Sequence, residues 1–151
     1  VIWQTGKNYF ENIKQQLAEK SPMPALKPTD FIADMGAAYR AADLVISRAG
    51  ASSISEFCLI GKPVILVPSP NVAEDHQTKN AMALVNRQAA QFVSDAEAPQ
   101  KLIPLALSTV KDDQILGQLS HNIKLMALRN SAETIANEVF ALAEKQANKK
   151  R

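Results

Sequence analysis

The chain has 151 residues, 46% of them hydrophobic and 21% charged, with a formal charge of +2. That suits one domain with a proper core and excludes disordered, collagen-like and coiled-coil classes. No apolar run is long enough for a membrane-spanning helix, the weak net charge gives no footprint for nucleic acid, and the single cysteine, Cys58, excludes both an internal disulfide framework and a cysteine-based zinc site.

In chain order, Val1–Gln4 reads as a buried strand that begins at the first residue. So abrupt a start, with no initiator Met, is the expected mark of a piece of a longer protein. Thr5-Gly6-Lys7 turns into a helix over about 8–19, with Phe10, Ile13 and Leu17 on one face. Pro22, Pro24 and Pro28 confine any strand over 21–28 to a short edge. Asp34 can cap a short helix over 35–42. Residues 43–47 read as a strand, 48–51 as a tight loop and 53–60 as a helix that Gly61 can stop. Pro63-Val64-Ile65-Leu66-Val67 is apolar throughout, as a central parallel strand should be. A helix over 75–87 and a strand over 90–93 follow.

The last third is helical. The pattern predicts helices over 99–110, with Pro104 as a kink or late start, over 113–128, and over 130–145. Asn130 and Glu133 have capping-box spacing, and Ile135, Val139, Phe140 and Leu142 supply the last apolar face. The tail, residues 145–151, is basic and expected to fray. Short strands alternating with helices predict an α/β fold with a Rossmann-like parallel sheet. Ligands of such sheets bind beyond the carboxyl ends of the strands, which directs attention to residues 5–7, 47–55 and 68–80.

The strongest of these is Ser47-Arg48-Ala49-Gly50-Ala51-Ser52-Ser53-Ile54-Ser55-Glu56. A strand ends, Gly50 permits close approach, and small hydroxylic residues open a helix whose free N–H groups suit a phosphate. Ser52 and Ser53 add hydroxyl donors. Glu56, one turn on, can accept from the two vicinal hydroxyls of a ribose. The competing reading is a plain capping box of Ser53 and Glu56. Neither a Walker loop nor a G-x-G-x-x-G fingerprint is present.

The second element is Asn71-Val72-Ala73-Glu74-Asp75-His76-Gln77-Thr78-Lys79-Asn80. Gln77 and Asn80 share a helical face, and two amides there can address sugar hydroxyls. His76 stands beside them. Glu74, Asp75 and His76 are consecutive, cannot converge from a helix and are rejected as a metal or triad site. In the plainer reading Asp75 caps the helix. Phe31 to Met35 offers only core residues beside a cap; His121 reads as surface, Cys58 as a small buried side chain, and Asp112-Asp113 as a helix start.

Phe31-Ile32-x-Asp34-Met35, Ala42-Asp43-Leu44-Val45-Ile46-Ser47-Arg48-x-Gly50-Ala51, Ser55-Glu56, Gly61-Lys62-Pro63 and His76-Gln77-x-x-Asn80-Ala81 together resemble the carboxyl-terminal domain of the MurG family, as does the opening Trp3-Gln4-Thr5-Gly6-Lys7. That family comprises bacterial N-acetylglucosaminyltransferases that make lipid II for peptidoglycan. The resemblance runs along nearly the whole chain. It implies the donor-binding half of a GT-B transferase over residues 1–151, with the first strand and helix, the glycine-rich phosphate loop and the amino-terminal domain lying outside it.

It further implies UDP-GlcNAc as donor, with the uracil at Ile32 and Met35. The loop of Ala51, Ser52 and Ser53, which Gly50 opens to close approach, lies against the diphosphate and sugar, Glu56 at the ribose, and Gln77 and Asn80, with His76 beside them, at the GlcNAc. Lipid I is the implied acceptor, bound with the catalytic base by the amino-terminal domain, at the cytoplasmic face of the inner membrane. The implied chemistry inverts the anomeric centre and uses neither cofactor nor metal; no Asp-x-Asp pair is present. By the same implication the chain alone does not turn over. Two alternatives stay open: another GT-B sugar-nucleotide transferase acting on a glycolipid, and a non-catalytic donor-binding subunit of a split transferase.

Overall fold

The computed structural model describes residues 1–71 and 75–149. They divide into two compact units, one ending at Ala42 and the other beginning at Asp43.

In the first unit, strand β1 (Ile2–Gln4) leads through Gly6 into helix α1 (Lys7–Ala18), and strand β2 (Lys27–Thr29) precedes helix α2 (Met35–Ala41). β1 and β2 pair in parallel, Trp3 opposite Pro28. The strand foreseen among the prolines is therefore short and lies in a two-stranded sheet among the described residues, where a proline is tolerated. Asp34 caps α2 as expected, its carboxylate accepting the Ala37 N–H at 2.7 Å. The expectation that Val1–Gln4 is buried is not met: Ile2 is 53% and Trp3 41% exposed. Two strands and a helix with no buried residue cannot cover both faces of the pair.

The second unit carries strand β3 (Val45–Ser47), helix α3 (Ala51–Ile60), strand β4 (Val64–Leu66), helix α4 (His76–Val85) and strand β5 (Gln91–Phe92). A 3₁₀ turn (Asp95–Glu97) and helices α5 (Ala98–Thr109), α6 (Asp113–Leu125) and α7 (Ser131–Lys149) complete it. The sheet order is β3-β4-β5, all parallel. The run expected to be the central strand is that strand, and Val64, Ile65 and Leu66 are wholly buried. Its side chains alternate between faces. Ile65 and Val67 pack with Val93 under Leu102, Leu105 and Ala106 of α5. Phe57 and Cys58 of α3, Ala81 and Leu84 of α4, and Leu119 and Ile123 of α6 are also buried. Each large apolar side chain buried this way contributes about 1.5–3 kcal/mol.

Helix ends carry most of the corrections. α3 starts at Ala51, two residues before the predicted start, because Gly50 already has the extended backbone of an N-cap (φ −68°, ψ 142°). Ser53 is thus inside the first turn, and the Ser53–Glu56 capping box does not exist. Asp75 precedes α4 in the left-handed region (φ 54°) and makes no side-chain cap bond, so the plain reading of it as a cap fails too. Gly61 does stop α3, at φ 67°, its N–H donating to the Phe57 carbonyl at 2.9 Å. Asp112 caps α6 through the Ile115 N–H. α5 begins before Pro99 and runs through Pro104, so Pro104 is no late start; it lies on the exposed side, where water can meet the unpaired Gln100 carbonyl. Asn130 takes a left-handed φ of 63° ahead of α7, unlike the extended N-cap of a capping box. Ile135, Val139, Phe140 and Leu142 are all more than half exposed, so α7's apolar stripe lies open. His121 is exposed, as read. Glu74 and the last two residues of the basic tail lie outside the described residues.

Candidate functional site

The carboxyl ends of β3 and β4 open into two loops, 48–50 and 67–71. Both are held by side chains that no local pattern would pair. Gly50 begins α3 with no side chain to cap it, and the first intrahelical bond is the Ile54 N–H to the Gly50 carbonyl, 3.0 Å. The N–H groups of Ala51, Ser52 and Ser53 precede that bond and have no partner within the helix. They sit at the positive end of its dipole. With φ at −68°, Gly50 is not required for its backbone conformation. What it leaves is room: a Cβ there meets nothing nearer than the Ser53 Oγ at 4.0 Å. Ser52 and Glu56 are exposed on one side of α3. Ser55 is turned back onto its own helix, donating to the Ala51 carbonyl at 3.0 Å.

Gln77 and Asn80, on the first turns of α4, grip Ala49 from both sides. The Gln77 Oε1 accepts the Ala49 N–H at 3.2 Å and the Ser69 N–H at 2.9 Å. The Asn80 Nδ2 donates to the Ala49 carbonyl at 3.2 Å. Ala49 is wholly buried, so both its backbone groups need partners there. The shared helical face of the two amides is therefore real, with one function the spacing did not announce: it joins the loops after β3 and β4. The Gln77 Nε2 and Asn80 Oδ1 atoms are the parts a ligand could use. His76 heads α4 and is exposed.

Arg48 is the residue that sequence reasoning passed over as part of a loop. Its Nη1 donates to the carbonyls of Val67 and Pro68, each at 3.2 Å, and forms an ion pair with Asp95 of the 3₁₀ turn. Forty-seven positions separate Arg48 from Asp95, so no spacing rule could join them. Only the sheet order, which brings the ends of β3, β4 and β5 side by side, reveals the contact.

In the first unit Ile32 donates its N–H to the Gln4 Oε1 at 2.9 Å, and Met35 is the first residue of α2. Among the described residues no three of His, Cys, Asp and Glu converge.

A family model matches most of the chain that carries this site. Residues 1–137 match the glycosyltransferase family 28 C-terminal domain. The chain belongs to that family. It is 62% identical over 143 residues to a protein of Bacteroides fragilis named UDP-N-acetylglucosamine--N-acetylmuramyl-(pentapeptide) pyrophosphoryl-undecaprenol N-acetylglucosamine transferase, and 53% identical over 142 residues to the protein of that name in Cytophaga hutchinsonii. The alignments cover 95% and 94% of this chain but only 38% and 37% of those relatives. The crystal structure of MurG from Acinetobacter baumannii superposes with a TM-score of 0.81 at 26% identity, over 93% of this chain and 42% of that one. The expected fold, the carboxyl-terminal half of a GT-B transferase, is borne out, and so is the resemblance to the MurG family.

Proposed function

We propose that this chain is the donor-binding domain of an N-acetylglucosaminyltransferase and that UDP-GlcNAc is its ligand. The observation that carries the reading is the start of α3: uncapped N–H groups at residues 51–53, cleared of side-chain bulk by Gly50 and joined through Ala49 to the amides of Gln77 and Asn80. The diphosphate lies on that helix start, with the Ser52 and Ser53 hydroxyls as further donors. Glu56 takes the ribose hydroxyls and Ile32 and Met35 the uracil. His76, the Gln77 Nε2 and Asn80 meet the GlcNAc.

The chemistry follows from the same arrangement. Displacement at the anomeric carbon sends the bonding electron pair into the UDP oxygen. Fixed amide donors and a helix dipole stabilise the charge that develops there, and they need no reorganisation as it forms. The acceptor is the C4 hydroxyl of the MurNAc unit of undecaprenyl-pyrophosphoryl-MurNAc-pentapeptide, the product is lipid II, and the anomeric centre inverts. The names of the relatives support this donor and acceptor. The acceptor and the base that deprotonates it belong to an amino-terminal domain, and the enzyme works as a peripheral protein at the cytoplasmic face of the inner membrane.

Calorimetric titration with UDP-GlcNAc, UDP-GalNAc and UDP tests the reading. Preference for GlcNAc over GalNAc supports it. Binding that ignores the sugar reopens the donor, and no binding by the polypeptide encoded by the whole reading frame overturns it.

A further inference from the structure

We propose that Arg48 and Asp95 form a latch that positions the sugar-facing side of the site, and that Arg48 is a positioning residue that does not itself bind phosphate. The inference rests on the donor-binding reading above.

Arg48 lies two residues before Gly50, where a cation beside a diphosphate would invite direct pairing. The geometry points elsewhere. One guanidinium nitrogen reaches the consecutive carbonyls of Val67 and Pro68 while it pairs with Asp95. Those carbonyls begin the loop after β4, and the next residue, Ser69, delivers its N–H to the Gln77 Oε1. Arg48 thus fixes the first two residues of the loop and Gln77 the residue that follows them. Because the Gln77 carbonyl oxygen is held by two backbone N–H groups, the direction of its Nε2 follows from where that loop sits. Asp95 supplies the charge that keeps the guanidinium turned to the carbonyls and away from the helix start. The start of α3 depends on the latch less, since its first turn is held by its own helical bond.

The two roles for Arg48 predict different outcomes. A phosphate-binding arginine needs charge, so Arg48→Lys should retain UDP binding, and Asp95→Asn should tighten it by removing a competing carboxylate. A latch needs a donor at the position of Nη1, which the lysine side chain, one atom shorter, does not reach, and needs the carboxylate. The test titrates Arg48→Lys, Arg48→Gln and Asp95→Asn, in the polypeptide encoded by the whole reading frame, with UDP and with UDP-GlcNAc. The latch predicts that affinity for UDP-GlcNAc falls about tenfold, the size of one lost charge-assisted bond, while affinity for UDP changes less than about twofold. Both ligands titrate the same sample, so partial unfolding lowers both stoichiometries alike and leaves the affinity ratio unmoved.

An unchanged ratio in all three variants overturns the latch. So does tighter UDP binding by Asp95→Asn, or loss of UDP binding in Arg48→Gln that Arg48→Lys restores. Wild-type protein that binds neither ligand overturns the donor-binding reading and the latch with it, an outcome distinct from the other three.

Discussion

Ser69 donates its backbone N–H to the side-chain carbonyl of Gln77 at 2.9 Å, and the same oxygen receives the N–H of Ala49, twenty residues earlier in the chain, at 3.2 Å. One atom on α4 therefore sets the spacing of two strand-end loops. A residue expected to read a sugar is first a structural tie, and its capacity to read anything depends on the nitrogen left over.

Separating those two functions is the first prediction. Gln77→Ala removes the acceptor and strands the N–H of the buried Ala49, which costs about 1–3 kcal/mol. Gln77→Glu keeps an oxygen for both N–H groups and loses only the donor. Urea denaturation should therefore show Gln77→Ala less stable than Gln77→Glu. Both variants should lose more affinity for UDP-GlcNAc than for UDP. Equal stability of the two variants removes the tie, and equal losses for the two ligands remove the sugar contact.

What the sequence revealed and what it hid divide along a physical line. β4 was legible because a strand buried on both faces must be apolar throughout, and Val64-Ile65-Leu66 is. The ends of α2 and α3 at Asp34 and Gly61 were legible because a cap is written within three or four residues. The start of α3 was misplaced because hydroxyl residues at 52 and 53 imitate a cap while the extended backbone of Gly50 does the work. Burial of Ile2 and Trp3 was inferred from composition, and composition does not report whether anything covers a strand. The contacts of Arg48 with Asp95 and of Gln77 with Ala49 were hidden altogether, because they exist only once parallel strands 20 to 45 residues apart lie side by side.

Glu56 carries the second prediction. It sits one turn beyond the helix start, exposed on the side of Ser52. If its carboxylate accepts from the ribose, Glu56→Ala weakens UDP about tenfold, as expected for hydrogen bonds to a charged group. The same variant should bind UDP and 2′,3′-dideoxy-UDP alike, while the parent protein prefers UDP. A parent that treats the two nucleotides equally assigns Glu56 elsewhere.

Two glycines give a third, contrasting prediction. Gly61 lies at φ 67°, and a Cβ there would stand 3.1 Å from the Lys124 Cδ. The lysine can move aside; the backbone conformation still disfavours an L residue by about 1–2 kcal/mol. Gly50 lies at φ −68°, with nothing inside 4.0 Å. Gly61→Ala should therefore destabilise the fold and leave the affinity of the folded protein for UDP unchanged. Gly50→Ala should melt within a few degrees of the parent and bind UDP poorly, because its methyl group fills the space above the helix start. Normal UDP binding by Gly50→Ala means that the diphosphate does not approach there.

The fourth prediction concerns pH. Cys58 is buried in α3, and burial pushes its thiol pKa up, since the thiolate would lose its hydration. In the unfolded chain the thiol loses its proton from about pH 8.5 upward. Above that pH the folded state holds more protons than the unfolded state, so unfolding releases one and stability falls. The contribution is fully present below the unfolded pKa and is lost as pH rises toward the folded one, at a slope of at most about 1.4 kcal/mol per pH unit. The useful quantity is the difference between the parent and Cys58→Ala. The urea midpoint of the parent should fall more steeply than that of Cys58→Ala above about pH 8.5. Below that pH the two should run parallel, with the alanine variant lower because it leaves a small cavity. Alkylation by iodoacetamide should follow the same logic, slow in buffer and fast in urea. Parallel pH dependence throughout, or rapid labelling of the folded protein, would mean that the thiol is not shielded by the core against which α3 packs.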